Sequence, residues 1–209
     1  MSGQGKQKTC FVTVGATASF TDLIRAVLAP DFCKALESQE YTHLLVQYGQ
    51  DGKELFDKCL QQSLEVGDLS SLQIGGFALD PSGLRQYMIQ AKGQHTKPPA
   101  AEGLVISHAG SGTVLDALRV SIPLIVVPNS TLLDNHQVEL AEALEEQEYV
   151  VHGQLKNLVG ALKRAEQLRT RMKTWPPVNS GTHRQAKGLK GVMDEEMGEE
   201  ELRIDLEVP

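Results

Sequence analysis

Cysteine is scarce. Cys10, Cys33 and Cys59 are odd in number, far apart and never form a Cys-x-x-Cys pair. That spacing argues against a disulfide framework or a zinc site and for inert thiols in a reducing compartment. No apolar run approaches the roughly 18 residues that a bilayer crossing needs. The start, MSGQGKQKT, is polar and passes directly into an apolar strand, so neither a signal peptide nor a transmembrane segment is expected. Basic charge is also in deficit. With 20 Lys and Arg against 27 Asp and Glu the formal net charge is -7, which excludes the basic surface of a nucleic-acid or anionic-membrane binder. Much of the acidity is local, since Pro176 onward holds four basic and eight acidic residues.

Several familiar nucleotide and catalytic signatures are missing too. A Walker A loop needs Gly-Lys followed by Ser or Thr, but Gly5-Lys6 and Gly52-Lys53 are followed by Gln and Glu. The dinucleotide fingerprint is half met by Gly110-Ser111-Gly112; its third glycine is replaced by Leu115, and the next strand ends in Asn129 where an NAD site wants an acid. No G-x-S-x-G elbow occurs. No Asp-x-Asp stands at a strand end, so no metal is expected at the site.

What is present is a regular alternation of strand and helix patterns. Cys10–Val14, His43–Tyr48, Leu72–Leu79, Leu104–Ser107, Leu124–Val127 and Tyr149–Val151 read as strands, the third weakened by Gly75-Gly76. Between them lie helical stripes: Leu23, Ile24, Val27 and Leu28; Leu55, Cys59, Leu60 and Leu64; a short one over Pro81–Ile89; one from Gly112; one over Asp134–Gln147; and a last one over Leu155–Met172. Ala91–Glu102 reads as an exposed loop. The alternation predicts an α/β fold, a Rossmann-like, mainly parallel sheet with helices on both faces, over residues 1–175. Residues 176–209 read as a polar, acidic tail.

Function concentrates in Gly103–Gln137, GLVISHAGSGTVLDALRVSIPLIVVPNSTLLDNHQ. Two polar clusters fall at strand carboxyl ends, where open α/β sheets bind ligands. Gly110 and Gly112 allow close backbone approach, and the helix that starts there offers free N–H groups to a pyrophosphate. Asp116, one turn in, suits ribose hydroxyls, although a carboxylate near a helix start also simply complements the dipole. Asp134 or Asn135 could be only an N-cap. Four consecutive polar groups opposite a phosphate-type turn nonetheless exceed what capping needs. Gly15-Ala16-Thr17 is a weaker second phosphate turn. His108 sits at a strand end, where an isolated histidine is more often structural than catalytic.

FVTVGAT, VISHAGSGTVLDALR and PLIVVPNSTLLDNHQVELAEAL together resemble the family of cytosolic catalytic subunits of dolichol-linked N-acetylglucosamine transferases. That family is similar to the C-terminal, UDP-sugar-binding half of the bacterial lipid-II-forming glycosyltransferase, a GT-B enzyme. The resemblance covers most of residues 9–170 and departs at Ala91–Glu102 and in the tail. It implies a donor site for UDP-GlcNAc, with Gly110, Ser111, Gly112 and Thr113 at the pyrophosphate and His108 beside them. Gly15 and Thr17 would face them from the first turn. Asp116 matches the ribose-binding acid, one methylene shorter than the bacterial glutamate. Asn135, His136 and Gln137 match the stretch that reads the sugar hydroxyls.

The implied activity is metal-independent, inverting transfer of GlcNAc to a GlcNAc-diphosphate polyprenol, with no cofactor beyond the donor. A two-domain transferase needs a second half for the lipid-diphosphate acceptor and the general base. That half is expected from a membrane-anchored partner subunit, with this chain recruited to the cytosolic face of the endoplasmic reticulum. Alternatives are a non-catalytic nucleotide-sugar-binding regulatory module and a small NAD-dependent oxidoreductase.

Overall fold

The computed structural model describes residues 6–16, 18–66, 69, 71–93, 100–129 and 136–173. Among them, β1 (Lys8–Thr13), β2 (His43–Gln47), β3 (Gln73–Phe77), β4 (Ala101–His108), β5 (Leu124–Val127) and β6 (Val151–His152) form one sheet. Every pairing is parallel, in the order β3-β2-β1-β4-β5-β6. The chain starts at the centre, winds outward to β3, returns to β4 and winds outward the other way. The crossover direction therefore reverses between β1 and β4, which opens a crevice at their carboxyl ends.

Burial follows the strand period of two. Cys10, Val12, Val14, Leu44, Val46, Leu104, Ile106, Ile125 and Val127 face one layer, formed by α1 (Thr21–Val27), α2 (Pro30–Ser38), α3 (Lys53–Val66) and α7 (Leu158–Met172). Phe11, Val105, Leu124 and Val126 face the other, formed by α4 (Arg85–Lys92), α5 (Ser111–Val120) and α6 (His136–Glu146). Both faces of the central strands are apolar for that reason.

Local expectations were corrected at three places. The buried face of α3 is Phe56, Cys59 and Ser63, whereas Leu64 is 52% exposed. Gly76 on the edge strand leaves a hollow that the Phe56 ring fills: a β-carbon there would lie 2.8 Å from Phe56 Cζ. The Ser63 hydroxyl donates to the Leu28 carbonyl, so α3 turns its serine rather than its leucine inward. Ala91–Glu102 is not a loop throughout. Ala91 is fully buried inside α4, which stops at Gly93 in the left-handed conformation (φ 75°), and β4 starts at Ala101. Residues 94–99 of that stretch lie outside the described residues, as does the tail from 176. Finally, the last strand is Val151–His152 rather than Tyr149–Val151, because β5 pairs at Ile125 with Val151 and Val126 with His152.

Candidate active site

The first wall of the crevice is the turn after β1. Gly15 has φ +87°, a left-handed conformation that glycine adopts without strain. A buried network holds it. Thr13 Oγ1 accepts from the Gly15 N–H at 3.2 Å and donates to Gln47 Oε1 at 2.6 Å. Gln47 Nε2 donates to the carbonyls of Gly15 at 3.1 Å and Ala78 at 2.8 Å. Gln47 is 1% exposed, and its carboxamide is fully used in tying the ends of β1, β2 and β3 together.

The second wall is the β4–α5 turn. His108 ends β4, and its imidazole wedges between the two glycine turns. A β-carbon on Gly15 would sit 2.7 Å from His108 Cε1 and Nε2, and one on Gly110 would sit closer still. Burial pushes the imidazole below its ordinary value, opposed by the Thr13 backbone, so the ring is neutral near pH 7. Among the described residues its Nδ1 is buried without a hydrogen-bond partner.

Gly110 is the extended N-cap of α5, with no side-chain cap and no acid in the first turn. The first intrahelical bond there runs from the Val114 N–H to the Gly110 carbonyl at 3.0 Å. The N–H groups of Ser111, Gly112 and Thr113 therefore point out of the helix end with the positive pole of the dipole behind them. A β-carbon on Gly112 would meet nothing within 4 Å. Packing does not demand that glycine. Asp116 lies beyond the first turn, paired with Arg119 at 3.3 Å on a partly exposed face, so a dipole role does not account for it.

The third wall follows β5. Asn129, 5% exposed, donates its N–H to Gln137 Oε1 at 2.9 Å and its Nδ2 to the Ser19 carbonyl at 3.3 Å. Gln137 and His136 open α6, and His136 Nδ1 lies 3.8 Å from Glu139 with both side chains exposed. Of the residues singled out in sequence, Gly15, His108 and Gly110 are thus in direct contact, with Ser111, Gly112 and Thr113 continuing from them. Gln137 joins the first loop through Asn129. Thr17 and Asn135 lie outside the described residues.

Gln47, Thr13 and Asn129 were missed. Their signal was present, since each is a polar residue at the carboxyl end of an otherwise apolar strand. A cavity of about 130 Å³ lies beside the first turn, lined by Gly15, Ser19, Tyr48 and Gln50 among others. A larger one, about 480 Å³, sits at the opposite end of the sheet against Glu102, Ser121 and Met172, far from any free helix N-terminus. Among the described residues no group of three His, Cys, Asp or Glu side chains is placed to hold a metal ion.

Comparison with known proteins agrees with this fold. Residues 9–176 match the glycosyltransferase family 28 C-terminal domain. The chain is 32% identical over 155 residues to the UDP-N-acetylglucosamine transferase subunit ALG13 of Saccharomyces cerevisiae, covering 69% of this chain and 77% of the relative. It is 37% identical over 180 residues to the protein of the same description from Cryptococcus neoformans, covering 80% and 85%. The solution NMR structure of ALG13 superposes with a TM-score of 0.60 at 28% identity, over 78% of this chain and 87% of that one.

Proposed function

The chain belongs to the glycosyltransferase family 28 C-terminal domain family, and on that premise we propose that it is the catalytic, donor-binding subunit of a UDP-GlcNAc:GlcNAc-diphosphodolichol N-acetylglucosaminyltransferase. It would add the second GlcNAc of the lipid-linked oligosaccharide used in protein N-glycosylation. The observation that carries this reading is the uncapped N-terminus of α5, which stands at the β1/β4 switch point and faces the Gly15 turn across a neutral His108.

In this reading the N–H groups of Ser111, Gly112 and Thr113 receive the pyrophosphate, with Gly15 and Thr17 opposite. As the acceptor hydroxyl attacks the anomeric carbon from the far side, the bond from that carbon to the pyrophosphate oxygen breaks and charge builds on the departing UDP. Preorganised backbone donors stabilise that charge without a metal ion. Asp116 takes the ribose, and Asn135, His136 and Gln137 take the sugar. The general base and the lipid-diphosphate site come from a membrane-anchored partner at the cytosolic face of the endoplasmic reticulum. The relatives are named subunits, and among the described residues no helix of this chain is long and apolar enough to cross a membrane.

The test is co-purification from membranes followed by a UDP-GlcNAc transfer assay. Transfer is expected only when the co-purifying subunit is present, and His136→Ala or Gln137→Ala should lower it at least tenfold, the loss of one to two sugar hydrogen bonds. Full-rate transfer by the purified chain alone would refute the division of labour. Unchanged activity in both variants would favour a regulatory nucleotide-binding module instead.

A further inference from the structure

The carboxamide of Gln137 has a defined polarity. A backbone N–H only donates, so the Gln137 atom that faces the Asn129 N–H at 2.9 Å is the oxygen. Its Nε2 is then the half of the carboxamide that can donate. The Asn129 backbone is itself held, because the Asn129 side chain donates to the Ser19 carbonyl in the loop after β1. Asn129 is nearly fully buried, whereas Gln137 opens α6 at the crevice and is half-buried. A capping role does not account for this arrangement, because Asn129 lies seven residues before the start of α6 and bonds to a side chain rather than to the helix end. The first and third walls of the crevice are thus clamped by one residue, and that residue decides which end of a neighbouring amide faces the ligand.

From this geometry, and resting on the UDP-GlcNAc reading above, we propose that Asn129 is a positioning residue of the donor site. It fixes Gln137 as a hydrogen-bond donor toward an acceptor oxygen of the sugar. The position would then select sugars that present a lone pair there and reject those that present nothing. UDP, which lacks the GlcNAc, would not feel it.

Gln137→Glu separates the two halves of the carboxamide. A carboxylate still accepts from the Asn129 N–H but cannot donate. Added negative charge would weaken UDP and UDP-GlcNAc alike, whereas loss of the donor weakens only the sugar nucleotide. In the assembled complex the variant should raise the KM for UDP-GlcNAc about tenfold relative to the Ki for UDP, with kcat within about twofold. Equal losses for both ligands, or no loss for either, would overturn the proposal.

Asn129→Asp supplies a second readout. When ionised, its carboxylate faces the Ser19 carbonyl oxygen and repels it; when protonated, it donates there again. The KM for UDP-GlcNAc of this variant should therefore fall toward the wild-type value as pH is lowered through the carboxyl pKa, while the wild-type KM stays flat. A pH-independent defect, or none, would remove Asn129 from the site. A wild-type complex that fails to bind UDP-GlcNAc at all refutes the parent reading and this inference with it. A wild-type complex that binds normally while both variants behave as wild type refutes this inference alone.

Discussion

Three glycines around the crevice are glycine for different reasons, and the difference is testable. Gly15 and Gly110 cannot take a side chain because His108 occupies the space. Gly112 can, since nothing lies within 4 Å of where its β-carbon would project. Glycine near the start of a helix costs stability relative to alanine, at most about 1 kcal/mol. Its retention here makes sense when a ligand comes within contact distance of the backbone. Gly112→Ala is therefore expected to raise the thermal midpoint slightly while weakening UDP-GlcNAc binding at least tenfold, read by calorimetry on the same preparation. A variant that is stabilised and binds normally would place the pyrophosphate elsewhere. The glycines, His108 and Gln137 were legible in sequence because each is a chemically unusual residue in a short local pattern. Gln47 and Asn129 showed only as polar strand ends, and what they hold was not legible because their partners lie in other loops: Gly15 and Ala78 for the first, Ser19 for the second.

Long-range pairing also decides how the last helix is attached. The apolar stripe Leu158, Val159, Leu162, Ala165 and Leu168 was legible from helical spacing, and all are buried but Val159, which is half-buried against the same core. The periodicity did not reveal Arg169, 7% exposed on the same helix. Its guanidinium donates to Glu166 Oε2 at 2.9 Å, to Glu166 Oε1 at 3.0 Å, to the Tyr41 hydroxyl at 2.7 Å and to the Glu102 carbonyl. Tyr41 in turn donates to Glu166 at 2.7 Å, and Lys8 lies 3.4 Å from the same carboxylate. This cluster anchors α7 to β1, to the turn before β2 and to the start of β4. Removing only the guanidinium leaves the half-buried Glu166 carboxylate with Tyr41 and Lys8 alone and takes a donor from the Glu102 carbonyl, so Arg169→Ala should cost about 3 kcal/mol in urea unfolding.

The same cluster sets an acid limit. Burial raises the Glu166 pKa, but the hydrogen bonds from Arg169 and Tyr41 and the nearby positive charges outweigh it and hold the carboxyl below its usual 4.5. A carboxylate depressed in the folded state adds stability that is complete above the unfolded pKa and disappears as pH falls through the folded one. The wild-type protein should hold that increment in full above about pH 4.5 and lose it progressively as pH falls below that value. In Arg169→Ala, burial acts with much less opposition, so the Glu166 share of the acid loss should shrink and the urea midpoint of the variant should fall less steeply than that of the wild type as pH drops below 4.5. Equally steep limbs would show that the cluster is not coupled to folding.

At the scale of the molecule, the strand order places the described candidate residues on one rim. Alternating strand and helix patterns were enough to anticipate a parallel sheet, but not its order, since winding outward and back leaves no local trace in the chain. That order matters because it opens the crevice between β1 and β4 on the side away from both helical layers, where no further part of the described fold covers it. An electrostatic donor site open to water is weak, because solvent screens the helix end and competes for its N–H groups. On the proposed reading a partner subunit closes this rim and excludes that water. The isolated chain should then bind UDP-GlcNAc measurably but at least tenfold more weakly than the assembled complex does, by titration calorimetry against each. Donor at about a hundredfold its Kd should stabilise the isolated chain by about 2.7 kcal/mol, and a chelator should change neither affinity. Equal affinity in the two forms would mean that the partner contributes only the acceptor side, and that this rim is already a finished donor site.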